Sequence, residues 1–410
     1  MRTLRKYKLG EVINVLDSKR IPLSSKERES RKGQYPYYGA QGIIDYIDDF
    51  LFDGTYLLIA EDGENVKSQK EDIARIATGK YWVNNHAHIV ESNGLCDLRY
   101  LCYLLNSTDI SGYITGSAQP KLNQANLLSI EIELPSLEVQ RKVADILSSF
   151  DDKIEHNNRI NHNLEEQAQA LYKSWFIDFE PFKDGKFVES ELGMIPEGWR
   201  VGCYNDIISS TVSGDWGKDR EVGNYTHKVS CIRGCDFADV SSGIRGKTPE
   251  RFVLEKNFQN KRLLDKDIIV EISGGTPTVS TGRICLVSDN LLDKYSGNIV
   301  CTNFCRVIRP CSGYSSYVFY SWLDKYNSRV MFGYENGTSG IKNFQISDFM
   351  EKEPVIIPPQ TVIAQFQTIV DVYQAVIQRN GNERMECETV RDALLPKLMS
   401  GEFKINDLTC

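Results

Sequence analysis

The sequence predicts an α+β protein with a pseudo-two-fold internal repeat. Two mixed α/β modules are expected, separated by two long helices packed as an antiparallel coiled coil. The first observation is that residues 116–124 (GSAQPKLNQ) recur in related form at 337–345 (GTSGIKNFQ). The second is that both copies lead through a strand-like stretch, ending at Pro135 and Pro358, into a long helical pattern. One copy in each half indicates two equivalent modules rather than a solenoid.

The stretch that follows each strand has the pattern of a coiled-coil helix. From Val139 to Trp175, apolar residues recur at steps of three and four, and the matching positions of the second copy are apolar except Arg391. Such spacing over about five heptads is typical of a seam between two helices. We therefore predict that the helices pack on each other. The first helix is expected to stop before Pro181 and the second near Pro396.

Asparagines interrupt the seam. They are Asn157 and Asn161 in the first copy, and Asn157 corresponds to Asn380 in the second. An asparagine in a seam lowers stability but fixes register, so a matched pair would align the helices. The alternative is a frayed, solvated midpoint, because Gly381 follows directly and is expected to interrupt the second helix. Both interpretations are open at this point.

These patterns divide the chain into six segments. The boundaries are 1–135 (module 1), 136–179 (helix 1), 180–198 (connector), 199–354 (module 2), 355–400 (helix 2) and 401–410 (tail). Each module has the size of an ordinary domain and can bury its own core.

Composition argues against several classes of protein. No apolar run approaches the length needed to span a bilayer, which predicts a cytoplasmic protein without membrane contact. The 11 cysteines and 5 histidines follow neither a disulfide-scaffold nor a zinc-ligand spacing. We therefore expect reduced structural thiols and no bound metal.

Charge is distributed unevenly along the chain, whose net charge is −8. Most of the excess acid lies on helix 1 and the connector, whereas bases exceed acids in residues 1–32 and 218–262. Local basic patches are compatible with a phosphate-contacting face, and Lys218 and Arg233 are the candidates in the second patch. The alternative is that these are ordinary solvated charges. The acidic helices favour contact with protein.

Each module also has a glycine-rich segment suited to nucleic acid. In module 1, tyrosines and a glutamine surround two glycines, and these side chains would suit a base edge or a sugar-phosphate wall. In module 2, hydroxyls and an arginine follow a strand-like stretch. The alternatives are a packed turn and an ordinary exposed hairpin. The candidate residues are Tyr37, Tyr38 and Gln41 in module 1, and Ser273, Thr276 and Arg283 in module 2.

Catalytic motifs are absent from the sequence. Residues 241–248 end like a phosphate-binding loop, but Ser241 replaces its first glycine. The only Pro-Pro pair, at 358–359, is followed by Gln360 and not by the aromatic residue with which amino methyltransferases grip a flipped base. His86 and His88 alternate along a strand without a nucleophile, so we interpret them as structural. The chain is expected to perform no chemistry itself and to need no cofactor.

Several segments together resemble the specificity subunit of type I restriction-modification systems, over essentially the whole chain. They are YPYYGAQGIIDYIDDFLFDGTYLLIAEDG (35–63), WVNNHAHIV (82–90), SWFIDFEPF (174–182), IPEGW (195–199) and LLPKLMSGEF (394–403). The resemblance implies that modules 1 and 2 are target-recognition domains, each reading one half of a bipartite, asymmetric sequence in double-stranded DNA. The helices would act as a ruler and dock methyltransferase subunits.

The resemblance also implies which chemistry lies elsewhere. S-adenosylmethionine would bind the methyltransferase subunits, and ATP and Mg would be used by a separate restriction and motor subunit. One departure from the family is that Thr361–Ile363 stands where helix 1 has Glu138-Val139-Gln140. Together with Gly381, this difference would weaken one partner-facing helix. A repeat-built adaptor that never touches DNA, and an enzyme that acts alone, are the alternative readings.

If the chain is such a specificity subunit, the repeated loops are expected to contact DNA. Lys121 and Lys342 would bind backbone phosphate, helped by neighbouring polar side chains, and the alternative is a role in turn formation. The expected loop contacts are Ser117, Gln119, Lys121, Asn123, Thr338, Lys342 and Asn343. The expected partner contacts on the helices are Glu138, Gln140, Arg141, Trp175, Phe176 and Leu398.

Overall fold

The computed structural model describes residues 4–68, 70–116, 120–276, 278–337 and 341–403. The chain forms two compact units. Unit 1 holds the residues up to Lys153 together with those from Cys387 onward, and unit 2 holds Ile154–Glu386. Each unit therefore combines one module with a segment of both long helices. In the described part of the chain, no helix is long and apolar enough to cross a bilayer.

Unit 1 is built around a six-stranded sheet. Its elements are β1 (Arg5–Lys8), β2 (Ile13–Val15), α1 (Ser25–Ser30), β3 (Lys32–Gly39), β4 (Gly42–Ile47), β5 (Phe52–Ala60), α2 (Glu64–Ser68), β6 (Ala74–Val83), β7 (Ala87–Ser92), α3 (Leu98–Ser107), α4 (Gln124–Ser129), β8 (Glu131–Leu134) and the start of α5 (Leu137–Phe176). The strand order is β2-β7-β5-β6-β3-β4. The apolar end of β5, Leu57–Ala60, is buried because β5 lies inside the sheet.

Unit 2 contains smaller sheets. Its elements are β9 (Phe187–Ser190), β10 (Gly193–Pro196), β11 (Arg200–Cys203), β12 (Ile208–Ser213), β13 (Tyr225–Ile232), α6 (Phe237–Ser241), β14 (Glu250–Leu254), α7 (Glu255–Lys261), β15 (Ile268–Glu271), β16 (Ser273–Gly274), β17 (Ile284–Leu286), α8 (Asp289–Lys294), β18 (Ile299–Cys301), β19 (Cys305–Pro310), α9 (Ser315–Asn327), β20 (Glu335–Asn336), β21 (Lys342–Phe344), α10 (Ile346–Lys352), β22 (Pro354–Ile357) and α11 (Gln360–Met399). The larger sheets have the orders β12-β19-β15-β17 and β14-β13-β18.

The internal repeat is visible in the strand pair that closes each module by joining its first strand to its last. In the first half, β1 pairs antiparallel with β8, the strand that directly precedes α5. In the second half, β11 pairs in the same way with β22, the strand that directly precedes α11. The chain thus enters each long helix from a strand that is hydrogen-bonded to the start of its own module. The predicted fold class is confirmed.

The long helices pair antiparallel, as the contacts within unit 2 show. Asn161 donates a hydrogen bond to the carbonyl of Ile377, whereas Tyr172, further along α5, packs on Phe366, which lies earlier in α11. Antiparallel contacts also occur in unit 1, where Arg391 bonds to Asp151 at 2.6 Å.

Two boundaries expected for the long helices are corrected. Helix 1 ends at Phe176 and not at 179, and Phe179 has a left-handed φ of 53°. Helix 2 begins at Gln360 and not at 355, because Pro354–Ile357 is held in β22. As expected, helix 1 stops before Pro181 and helix 2 ends near Pro396, at Met399. A proline in the last turn removes one amide bond there, and the buried Leu398 beyond it packs in the core of unit 1.

The seam asparagines form a buried cluster and not a frayed midpoint. Asn380 donates to the Asn161 side chain at 2.8 Å, and Asn157 donates to the Asn380 carbonyl at 3.4 Å and to Glu383 at 2.9 Å. Asn161 also donates to the carbonyl of Ser242, which belongs to module 2. Because each amide finds partners only in this alignment, the cluster fixes the register of the two helices.

The expectation that Gly381 interrupts helix 2 is wrong, since α11 is continuous through it. The residue instead permits a close backbone approach. A Cβ atom on Gly381 would overlap the carbonyl group of Gly243, a buried glycine with a φ of 80° in the loop after α6. Module 2 therefore packs backbone to backbone on helix 2, directly beside the asparagine cluster.

Replacing Gly381 with alanine should destabilise unit 2. In an unobstructed helix this change raises stability by up to about 1 kcal/mol. At Gly381 the new methyl group would force the loop away, and overpacking of this kind costs about 1–3 kcal/mol. Thermal unfolding should show a lower midpoint for Gly381→Ala. The control is Gly333→Ala, where a Cβ meets nothing within 4 Å. A Gly381→Ala midpoint equal to or above that of the parent chain would refute the close packing.

Candidate nucleic-acid interface

The two repeated loops have equivalent stems. Thr115 and Lys121 exchange both backbone hydrogen bonds, at 2.9 and 2.8 Å, across the first loop. In the second, Asn336 is paired with Asn343. Each stem is fastened to the end of a central strand, through Leu122 to Glu61 after β5 and through Phe344 to Ile272 after β15. The expected contacts Ser117, Gln119 and Thr338 lie outside the described residues.

The loop lysines are bound to carboxylates. The ammonium group of Lys121 lies 2.9 Å from Glu61, and that of Lys342 lies 2.7 Å from Glu335. Both glutamate side chains are largely buried, whereas half of the Lys121 side chain is exposed. Each lysine thus fastens the end of its own loop to a glutamate, and its expected contact with backbone phosphate stays a prediction. Asn123 has a similar local role, because its side chain caps α4 by accepting from the amide of Asn126.

Glu61 belongs to a buried charge network. Arg20 bridges Asp17 at 3.1 Å and Glu61 at 3.0 Å, and His88 contacts Asp17 at 2.5 Å. Among the described residues, Asp17, Glu61 and His88 are the one group of side chains close enough to share a metal ion. The guanidinium of Arg20 and the ammonium of Lys121 already neutralise both carboxylates, which argues against a metal there.

Of the three candidate DNA contacts in module 1, the structure corrects one and leaves two at least partly exposed. Tyr37 is completely buried, and its hydroxyl accepts from the amide of Leu23 at 2.9 Å. It is therefore a core residue and cannot contact DNA in this structure. Tyr38 is half-buried and packs edge-on against Tyr81 at 5.4 Å. Gln41 is exposed at the tight turn that joins β3 to β4.

In module 2 the expected arginines are engaged in ion pairs. Arg283 binds Glu271 through two hydrogen bonds, at 2.8 and 2.7 Å. Arg233 likewise binds Asp236 through two bonds of 3.0 Å. Both guanidinium groups remain partly exposed, so each can meet a further acceptor only along its outer edge.

The polar candidates of module 2 are nearer the surface. The Ser273 hydroxyl is hydrogen-bonded to Asn343, across the β16–β21 pair. Thr276 is exposed, and its hydroxyl accepts from the amide of Val279 within the same turn. Lys218 is exposed and lies 5.5 Å from the ring centre of Tyr225.

Residues beside Lys218 were missed in the sequence. Lys218 is hydrogen-bonded through its backbone to Phe252 in β14, which extends that sheet edge. Arg251 in the same strand lies 4.1 Å from the ring centre of Trp216. The Arg251 side chain is only 8% exposed and is bound to Asp219, so it does not present its charge to solvent. Lys218 is exposed beside Tyr225, and a cation next to an aromatic ring is a common way to present positive charge to nucleic acid. The sequence signal that could have found them is the mixture of basic and aromatic residues in 216–228.

The expected partner contacts on the long helices differ in how far their side chains are buried. Glu138 and Arg141 are exposed on α5 and remain available to a partner. Gln140 is buried and donates to the carbonyl of Pro135, so it fastens the helix to module 1. Phe176 and Leu398 are core residues of their units and are also corrected. Trp175 is partly buried and packs on Phe176, Phe182 and Phe366.

Cys231 and Cys285 are buried thiols that form no disulfide. Burial raises the pKa of Cys231 and of Cys285 to about 12, which keeps these thiols protonated. A protonated buried thiol behaves as a small apolar side chain, in line with the structural role expected for it.

The sequence is similar to one family of proteins. A family model described as type I restriction modification DNA specificity domain matches residues 1–166. The type I restriction enzyme MjaIX specificity subunit of Methanocaldococcus jannaschii is 32% identical, and the match covers 78% of this chain and 72% of the relative. The HindI specificity subunit of Haemophilus influenzae is 24% identical, with 95% and 93% covered.

A solved structure has a similar fold. The S subunit of the type I restriction-modification system from M. genitalium matches with a TM-score of 0.58. The match covers 97% of this chain and 96% of that chain at 16% identity.

Acidification should destabilise unit 1 through its charge network. Burial raises the pKa of Asp17 and of Glu61, but hydrogen bonds from His88 and Lys121, and the charge of Arg20, outweigh it. Both pKa values lie below the ordinary 3.8 and 4.5. Such carboxyls stabilise the fold above their unfolded values, and this stabilisation is lost as the pH falls through the folded values.

The variant Asp17→Asn should therefore lose less stability than the parent chain when the pH falls below 3.8, as measured by urea unfolding in a pH series. Asp53→Asn removes an exposed carboxylate from β5 and is the matched control. Parallel pH curves for the parent and Asp17→Asn would rule out this role of the network.

Proposed function

Because this chain belongs to the family of type I restriction enzyme specificity subunits, which recognise DNA sequence, we propose that its two modules read the two halves of a bipartite target. The observation that carries the proposal is the shared plan of the halves. Each has a module closed by one strand pair, a lysine-bearing loop fastened to the central strand, and a long helix. Two equivalent readers with different surfaces suit two unlike half-sites.

The proposed DNA contacts are the exposed residues of each module. In module 1 these are Gln41 and the loop around Lys121. In module 2 they are Lys218 with its aromatic neighbours, Thr276 and the loop around Lys342. Amide side chains can read a base edge in the major groove, whereas lysines bind phosphates irrespective of sequence. Arg233 and Arg283 would contribute through the outer edges of their ion pairs.

The proposed partners are methyltransferase subunits and a restriction and motor subunit. Docking would use exposed side chains of the long helices, including Glu138 and Arg141, where the acidic surplus lies. We propose that this chain is itself non-catalytic. On this proposal S-adenosylmethionine, ATP and Mg are bound by the partner subunits. An adaptor that never touches DNA is not favoured, since the family is defined by a DNA specificity domain.

The helices are proposed to set the distance between the half-sites. Helix α5 has 40 residues. At about 1.5 Å per residue its length is roughly 60 Å, or about 18 base-pair steps. This is an upper limit, and about one turn of DNA between half-site centres suits two modules that face one side of the duplex.

Exchanging one module should change one half of the methylated motif. Residues 204–353 would be replaced by those of a relative with a different target, which leaves the β11–β22 pair intact. The motif would be read by sequencing methylated bases in cells that also carry the methyltransferase subunits. The reciprocal control exchanges residues 9–130 between β1 and β8 and should change the other half. If one exchange altered both halves, the modules would not be independent readers.

Lengthening both helices should lengthen the unread spacer. Four residues would be inserted after Lys153 and after Glu386, outside the asparagine cluster and the Asp151–Arg391 bond. The added rise is about 6 Å, roughly two base-pair steps. As a control, four residues inserted after Glu191, in the β9–β10 turn, should leave the motif unchanged. A folded helix variant that methylates the original spacing would show that the helices are docking surfaces only.

A further inference from the structure

His88 is a buried histidine whose two ring nitrogens both face acceptors. Its side chain is 1% exposed. Nδ1 lies 2.5 Å from a carboxylate oxygen of Asp17, and Nε2 lies 2.8 Å from the backbone carbonyl of Leu122. A carbonyl can only accept, so Nε2 donates to Leu122, while Nδ1 is hydrogen-bonded to the Asp17 carboxyl group. Both ring nitrogens of His88 are therefore engaged.

The partners of His88 converge on the end of the repeated loop. Leu122 follows Lys121 directly, and its amide donates to the carbonyl of Glu61 at 2.8 Å. The Lys121 ammonium binds the Glu61 carboxylate, which Arg20 links back to Asp17. Arg20 also donates to the carbonyl of Ala87 at 2.7 Å. The loop end is thus held by Glu61 after β5, by His88 on β7 and, through Arg20, by the N-terminal segment of the module.

We propose that His88 is a positioning residue for DNA reading by module 1, acting through Lys121 and Leu122 at the end of the repeated loop. This inference rests on the proposed function and assigns a role to a residue that otherwise belongs to the core. Taking the charged groups of Asp17, Arg20 and Glu61 out of water is expensive, and an apolar contact would stabilise a core at least as well. A satisfied buried network instead specifies one geometry, which a surface that reads DNA requires.

Module 2 fixes its loop by different means. Glu335 accepts from the amide and hydroxyl of Thr281 at 2.6 and 2.8 Å, and it binds Lys342. His227, the one histidine in the sequence of module 2, contacts Glu255 and Asn298 instead. The contribution of His88 is therefore confined to the half-site read by module 1, and the other half-site is an internal control.

The test measures discrimination at each half-site separately. The chain, assembled with its methyltransferase subunits, would be titrated with a duplex carrying its methylated motif. Two further duplexes would each carry a substitution in one half-site. The variants are His88→Leu, which removes both ring nitrogens, His88→Gln, which keeps one amide donor group, and His227→Gln as the control. The ratio of dissociation constants for matched and substituted duplexes does not depend on the fraction of folded protein.

His88→Leu should reduce discrimination at one half-site by about tenfold, as expected for the loss of a buried charged hydrogen bond, and leave the other half-site unchanged. His88→Gln should give an intermediate loss at the same half-site, and His227→Gln none there. Equal losses at both half-sites, or no loss in either His88 variant, would overturn the positioning role. If His88→Leu does not assemble, His88→Gln alone decides by the same criterion. Failure of the parent complex to discriminate at either half-site would overturn the proposed function itself.

Discussion

The buried asparagine cluster is the constraint on which the rest of unit 2 depends. Amide groups in an apolar seam are tolerated only when each finds a partner, so Asn157, Asn161 and Asn380 select one alignment of the two helices. That alignment brings Gly381 against Gly243 and lets Asn161 reach the carbonyl of Ser242. The three asparagines therefore set both the register of the helix pair and the position at which module 2 packs on it. A specificity subunit needs such a constraint, because a reading surface on a sliding support would lose its register with DNA.

The loops illustrate a second principle, that positive charge at a proposed DNA contact is not always free charge. Lys121 and Lys342 occupy equivalent positions in the repeat, and each is neutralised by a glutamate of its own module. The repeat has thus kept the ion pair while changing its location, since Glu61 lies far from Lys121 in sequence and Glu335 lies on the same hairpin as Lys342. The pair shapes the loop, and the exposed outer face of each lysine remains available to phosphate.

Sequence patterns predicted the fold because the relevant signals were periodic or repeated. The steps of three and four predicted the helices, and the two copies of one loop predicted the modules, whereas the matched asparagines left the register open. The candidate site could be predicted less well from the sequence. Tyr37, Gln140, Phe176 and Leu398 are polar, aromatic or terminal residues that looked available, but their side chains point into cores, a direction that only the tertiary register decides. The charge network of His88 was missed because its members are far apart in sequence.

The central claim is that two equivalent modules read two unlike half-sites across an unread spacer. Single-molecule sequencing of DNA from cells that carry this chain and its methyltransferase subunits, compared with cells lacking this chain, tests it most directly. The account predicts a methylated adenine motif with two different specified halves and a spacer of unspecified bases between them. A motif without a spacer, or one with only a single specified half, would contradict it.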